Sequence, residues 1–346
     1  MKALKIAALL LAASALGPVL AQAPAGGGGA GGRGPAENWY VNKTKGGVYK
    51  APMKPLVKLA DLKAKHAGQN NWVEQVVLDP EDDATYNSAA PGSKIDPQMH
   101  PDTPSLFIVI AGEMDFTVEG QQPVHATRGS LVNILHTTVY SYAVTGSANA
   151  LWVEINPTNY KTVWPATGPS PKASAGGEIV KVAFAHRPGE YTAPNKLHYN
   201  TFTDGIDKCE GGGTKVLDDH IFANPIIGYA NAADNKCAAA GGRAGGGGGR
   251  GGRGGAAAGP APAFNPASTF GHMHPGPAEW WIVQAGGISG RFENTGEYHA
   301  VEGDVLYAAP MMWHQMGVEG LTGPSIRLAL GGYNFINMNN TAAAGD

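Results

Sequence analysis

Cysteine is nearly missing from these 346 residues: Cys209 and Cys237 are the two present. That excludes a disulfide-framework scaffold and a zinc site built on paired cysteines. Charge is scarce too, with 15% Asp, Glu, Lys and Arg and a formal net −3. Such a balance gives no pull toward nucleic acid or anionic lipid. Beyond residue 21 no apolar run is long enough to span a bilayer. No nucleophile motif occurs. The Gly-rich tracts do not stand between a strand and a helix, as a phosphate-binding loop requires.

Residues 1–21 have the build of a secretory signal. Lys2 and Lys5 precede the apolar run Ile6–Leu16, and Val19-Leu20-Ala21 offers a cleavage site. The apolar part is short and Gly17-Pro18 interrupts it, so a cleaved signal is expected rather than an anchor, with a periplasmic or secreted location. In an oxidising compartment Cys209 and Cys237 are expected to pair as one disulfide. Residues 22–45 form a tail whose 24–35 stretch is Gly-rich, and 238–263 contain only Gly, Ala, Arg and Pro. Neither can bury enough apolar surface to offset backbone ordering, so both are expected to be disordered. The Arg-Gly tract lacks the aromatic residues of RNA-binding segments and is taken as a flexible insertion.

Elsewhere, short runs rich in Val, Ile, Phe, Tyr and Trp alternate with Gly, Pro, Asn and Asp. Ser105 to Ala111, Leu131 to Leu135, Ala150 to Ile155, Trp280 to Ala285 and Ser325 to Leu330 are of strand length. Helical periodicity is weak apart from a turn or two near Leu59 to Lys65. An all-β sandwich or barrel follows. The chain also repeats: a gap-free shift of 174 residues lays 98–140 on 272–314. Identities include Met99/Met273, His100/His274, Pro101/Pro275, Ile108/Ile282, Gly112/Gly286 and Gly129/Gly303. A shared register through two turns argues for one duplicated fold.

The second copy reads GHMHPGPAEWWIVQAGG and then EGDVLYAAPMMWHQM. His272 and His274, two apart on a strand, share one face. Glu279 follows a Pro-Gly-Pro turn, and His314 ends a later strand. Three imidazoles and a carboxylate suit a divalent transition metal: iron, manganese, copper, nickel or zinc. In the first copy, Gln98, Ser105 and Tyr140 stand for His272, Glu279 and His314, and only His100 persists. A structural barrel with a hydrogen-bonded His100 is expected there, against a weaker site using His100, His125 or His136.

These residues resemble the cupin superfamily. The first cupin motif is matched by His272-Met-His274, four residues, Glu279, six residues, Gly286; the second runs from Gly303 to His314. Pro266 stands where the first motif usually opens with Gly. Pro310 lies one position late, and Met311 replaces the usual Gly. The resemblance implies two double-stranded β-helix (jelly-roll) barrels: 46–165 with a degenerate site, and 166–337 with the metal ligands and the insertion. It also implies metal ligands His272, His274, Glu279 and His314 and a small-molecule substrate.

Around that site Trp281 shares strand parity with Glu279 and should point inward, and Trp280 outward. Trp281, Met312, Trp313 and Met316 are candidate pocket residues, with barrel core or a homo-oligomer interface as the alternative. Glu279, Tyr307 and Gln315 are the candidates for catalysis, and Arg291 for an anionic substrate, though a surface role suits Arg291 better. An aromatic, Met-rich pocket and an exported protein point to an oxygenase or oxidase of a small organic molecule. A non-redox lyase or isomerase and a non-catalytic binding protein are the alternatives.

Overall fold

The computed structural model describes residues 47–167, 181–182, 185–210, 217–218, 220–229, 234–237, 271–319, 323–332 and 338–339. The signal at 1–21, the tail at 22–45 and the insertion at 238–263 lie outside the described residues. No helix among the described residues is long and apolar enough to cross a membrane.

The architecture is all-β, with two barrels. In the first, a six-stranded sheet runs in the order His198–Asn200, Ser130–Ile134, Ser105–Ala111, Ala150–Pro157, Asp82–Ala89, Trp72–Leu78. A three-stranded sheet of Val124–Ala126, Met114–Val118 and Tyr140–Val144 closes over it. Alternate residues of both sheets, among them Phe107, Val109, Phe116, Val132, Tyr140 and Trp152, fill the interior.

The second barrel has two five-stranded sheets. One orders Leu56–Val57, Val305–Ala308, Glu279–Ala285, Pro324–Gly331 and Phe222–Tyr229. The other orders Gly296–Val301, Gly287–Phe292, His314–Val318, His272–Met273 and Met338–Asn339.

The duplication read from the sequence recurs in backbone detail. Gly129 N–H donates to Val109 O at 2.9 Å, and Gly303 N–H to Val283 O at 2.8 Å. The first strand of each copy carries a bulge at the same place, Val109/Ala111 and Val283/Ala285. Gly129 and Gly303 have φ of +85° and +86°. A Cβ on Gly129 would lie 2.3 Å from Phe202, and one on Gly303 the same distance from Leu59. Only glycine suits both constraints.

Those two contacts expose an exchange of elements. Leu56–Val57 pairs with Val305 and Leu306 of the second barrel, and the helix Leu59–Lys65 follows it. Reciprocally, His198–Asn200 pairs with Ser130–Val132 of the first barrel, and a second short helix, Thr201–Asp207, follows. Asn200 caps that helix by accepting from Phe202 and Thr203 N–H. A cut between 165 and 166 therefore leaves each half holding a strand of the other's sheet. Near the helix, Cys209 and Cys237 are disulfide-bonded, with Cα atoms 5.4 Å apart.

A polar seam crosses between the barrels. Trp280, fully buried, points out of its own barrel and donates Nε1–H to Asp82 Oδ2 at 2.8 Å. Tyr307 donates its hydroxyl to Asp79 Oδ2 at 2.8 Å, and Tyr86 to Gly303 O at 3.2 Å. Burial first, then the neighbouring Asp79, push the Asp82 carboxyl up to about 7.

Candidate metal centre

Strand pairing gathers the four motif residues at one end of the second barrel. His272 lies opposite His314, which on its other side lies opposite Phe292. Glu279 opens its strand between Ala308 and Gly331. The Nε2 atoms of His274 and His314 are each 2.8 Å from Glu279 Oε2, and His272 Nε2 is 3.4 Å from it. His314 Nε2 is 3.1 Å from His272 Nε2. The four donor atoms all lie within 4.8 Å of one another.

The chemistry of this donor set fits a cation. His314 Nδ1 is 3.0 Å from Met312 O, so that nitrogen carries the ring's proton and donates it. Burial pushes the His314 pKa down to about 4, which keeps the ring neutral at pH 7. Its Nε2 lone pair then faces a carboxylate oxygen and a second imidazole nitrogen. Acceptor against acceptor in a buried space is repulsive unless a positive ion lies between them. All four are ligand types of zinc, iron, manganese, copper and nickel.

The turn before His314 is unusual. Met311, where the motif usually has Gly, takes φ +63°, and its N–H donates to His274 O at 2.9 Å. The first copy does the same with Thr137, φ +58°, donating to His100 O at 2.7 Å. A left-handed non-glycine residue costs about 1 kcal/mol or more. In the second barrel this conformation links one ligand segment to the next.

In motif, duplication and converging ligands the chain resembles a two-barrel cupin. No protein-family model and no curated protein sequence matches it. Among solved structures it is similar to a cupin 2 conserved barrel domain protein from Leptotrichia buccalis, at 11% identity and TM-score 0.45, over 80% of this chain and 94% of that one. It is also similar to oxalate decarboxylase from Bacillus subtilis, at 11% identity and TM-score 0.47, over 84% and 79%. The coconut allergen cocosin is similar at 10% identity and TM-score 0.47, over 80% and 87%.

In the first barrel the corresponding positions still meet. Tyr140 fills the place of His314. Gln98 Nε2 donates to its hydroxyl at 2.9 Å, and His100 Nε2 lies 3.0 Å from the same oxygen. Ser105 hydrogen-bonds Asn156. His125 is instead on the surface beside Asp115, and His136 lies near His220. Among the described residues the other cluster of possible ligands, Glu297, His299 and Glu319, is largely exposed.

The remaining candidates divide. Trp281 reaches the four-residue cluster: its ring packs edge-on to His314, centroids 5.2 Å apart, and stacks on Phe292 at 6.2 Å. Met316 shares the inner face with His314. Three expectations are corrected. Tyr307 pairs with Trp280, not with Glu279's face, and its hydroxyl is committed to Asp79 across the seam. Gln315 follows His314 by one residue, so strand alternation turns it outward, beside Arg291. Met312 turns to Tyr49, whose hydroxyl lies 3.2 Å from its sulfur. Trp313 is held through its backbone, which Glu293 grips from both sides. Arg291 is 3.6 Å from Glu297, a surface pair.

Two residues were not singled out from the sequence. Phe292 lies opposite His314 and backs Trp281. Arg327 stands on the inner face of Pro324–Gly331, opposite Val283. A lone charge in the apolar run SIRLALG was the available signal.

Proposed function

We propose that this chain is an exported, metal-dependent oxygenase or oxidase that acts on a small organic molecule in its second barrel. The observation that carries the proposal is the convergence of three imidazole nitrogens and one carboxylate oxygen with surplus acceptor character. A redox-active divalent metal held there would relay electrons from the substrate to dioxygen. His314 is aimed by Met312 O and backed by Trp281. Glu279 offsets one positive charge. His272 is the ligand with a solvent side, its side chain 29% exposed, so substrate enters past it. Trp281, Phe292 and Met316 offer an apolar wall that excludes water.

Export is supported by the composition of residues 1–21 and by the disulfide, which belongs to an oxidising compartment. The oxidative reading is favoured over a lyase or isomerase by where the proton-handling candidates went. Tyr307 and Gln315 face away from the ligands, so of the three residues expected to take part in catalysis Glu279, itself a ligand, is the one that reaches the site. Oxygen uptake decides between them. Protein loaded with iron, copper, manganese or nickel is expected to consume dioxygen with a small organic substrate, and zinc-loaded protein is not. Equal turnover with zinc, in the absence of oxygen, would establish the non-redox alternative.

A further inference from the structure

Among the described residues, Arg327 is the charge that enters the interior of the second barrel besides the metal ligands. Arg327 lies between Ile226 on one neighbouring strand and Val283 on the other. The ladder pairs Glu279 with Gly331, Trp281 with Ala329 and Val283 with Arg327, so all six share one face and Arg327 enters the barrel. It is 5% exposed, and its Nε–H is enclosed with no acceptor. Among the described residues no carboxylate pairs with it; Glu279 is the charge whose field it feels.

A guanidinium cannot shed its proton to escape burial, so an enclosed one without a partner is a standing cost. At the position equivalent to Arg327 the first barrel has no charge. There, Trp152 stands opposite Val109, the counterpart of Val283, and its ring packs against Tyr142. The barrel that keeps the ligand set keeps the arginine. Imidazoles bind metal as neutral rings, so a divalent ion, Glu279 and Arg327 together leave the interior positive. From Arg327 to Gly331, opposite Glu279, is about 13 Å along the strand. On the inner face of that strand Ala329 is the one residue between them, and Trp281 stands opposite it on the neighbouring strand.

We propose that Arg327 anchors a carboxylate. The substrate class is then a small organic acid, its carboxylate on the guanidinium, its apolar or aromatic body against Trp281 and Met316, and its reacting end toward the four ligands. The inference rests on the reading of the second barrel as the substrate site. The planar fork of an arginine matches two carboxylate oxygens, and pairing would satisfy the enclosed donors.

Calorimetric titration of cobalt(II)-loaded protein with benzoate and with benzamide, its neutral isostere, tests the anchor. Wild-type protein is expected to bind benzoate about 10- to 100-fold more tightly than benzamide. Arg327→Met is expected to abolish that preference, to retain one cobalt per chain and to leave the melting temperature unchanged or higher. Arg327→Lys should restore part of the preference. An intact preference in Arg327→Met, or none in the cobalt-loaded wild type, overturns the anchor alone. Loss of cobalt and thermal stability together in Arg327→Met makes the arginine structural and also overturns it. A wild-type protein that binds no cobalt overturns the metal-site reading instead.

Discussion

His314 has both ring nitrogens committed: Nδ1 to a backbone carbonyl, Nε2 to the cluster. Asp82 is committed differently. Its carboxyl is buried beside Asp79 and titrates near 7, whereas in the unfolded chain it titrates near 3.8. Between those values the folded chain keeps a proton that the unfolded chain has released. This group's contribution therefore falls as pH rises from about 4 to about 7 and is flat above. Asp82→Asn retains an acceptor for Trp280 and removes the titration. Urea unfolding at pH 4.5 and 7.5 should show a smaller decline in stability for the variant than for wild type; equal declines would contradict this role. The contrast between His314 and Asp82 also marks what could be read in advance. The ligands were legible because spacing and strand parity fix His272, His274 and Glu279. Tyr307 and Gln315 lie near His314 in sequence but on the other face of their strands. In a strand, one residue's shift moves a side chain to the other face.

At the scale of elements, the strands were the legible part. Ser105–Ala111 and the helix Leu59–Lys65 lie where their patterns put them, and Glu279–Ala285 and Pro324–Gly331 extend the expected runs by a residue or two. The second helix, Thr201–Asp207, was not visible. Its run TFTDGID has no apolar period and contains a glycine, and it is set by the Asn200 cap and by packing of Phe202 against Arg128 and Gly129. The disulfide just beyond it closes a 28-residue separation. Loop-closure entropy gives it about 3.5 kcal/mol. A Cys209→Ser, Cys237→Ser double variant should melt several degrees lower in calorimetry and keep the same metal content. An unchanged melting temperature would show that the bond closes no loop that matters to stability.

For the whole molecule, the exchange of arms is what the sequence concealed. The repeat implied two barrels but could not show that Leu56–Val57 pairs across to Val305 and Leu306 while His198–Asn200 pairs back to Ser130–Val132. Such pairing is non-local, and arms of two and three residues carry too little pattern to name a partner strand. With each sheet completed by the other half, and with Trp280 and Tyr307 bonded across the seam, neither barrel should unfold alone. Scanning calorimetry is expected to give one transition, and two well-separated ones would contradict the exchange. The central claim concerns the ion that the second barrel is built to hold. Elemental analysis of purified wild type against His272→Ala tests it most directly, because His272 is the most exposed ligand and its loss disturbs the core least. One equivalent of a divalent transition metal in wild type, and little or none in the variant, is the predicted result. Equal metal in both would contradict it.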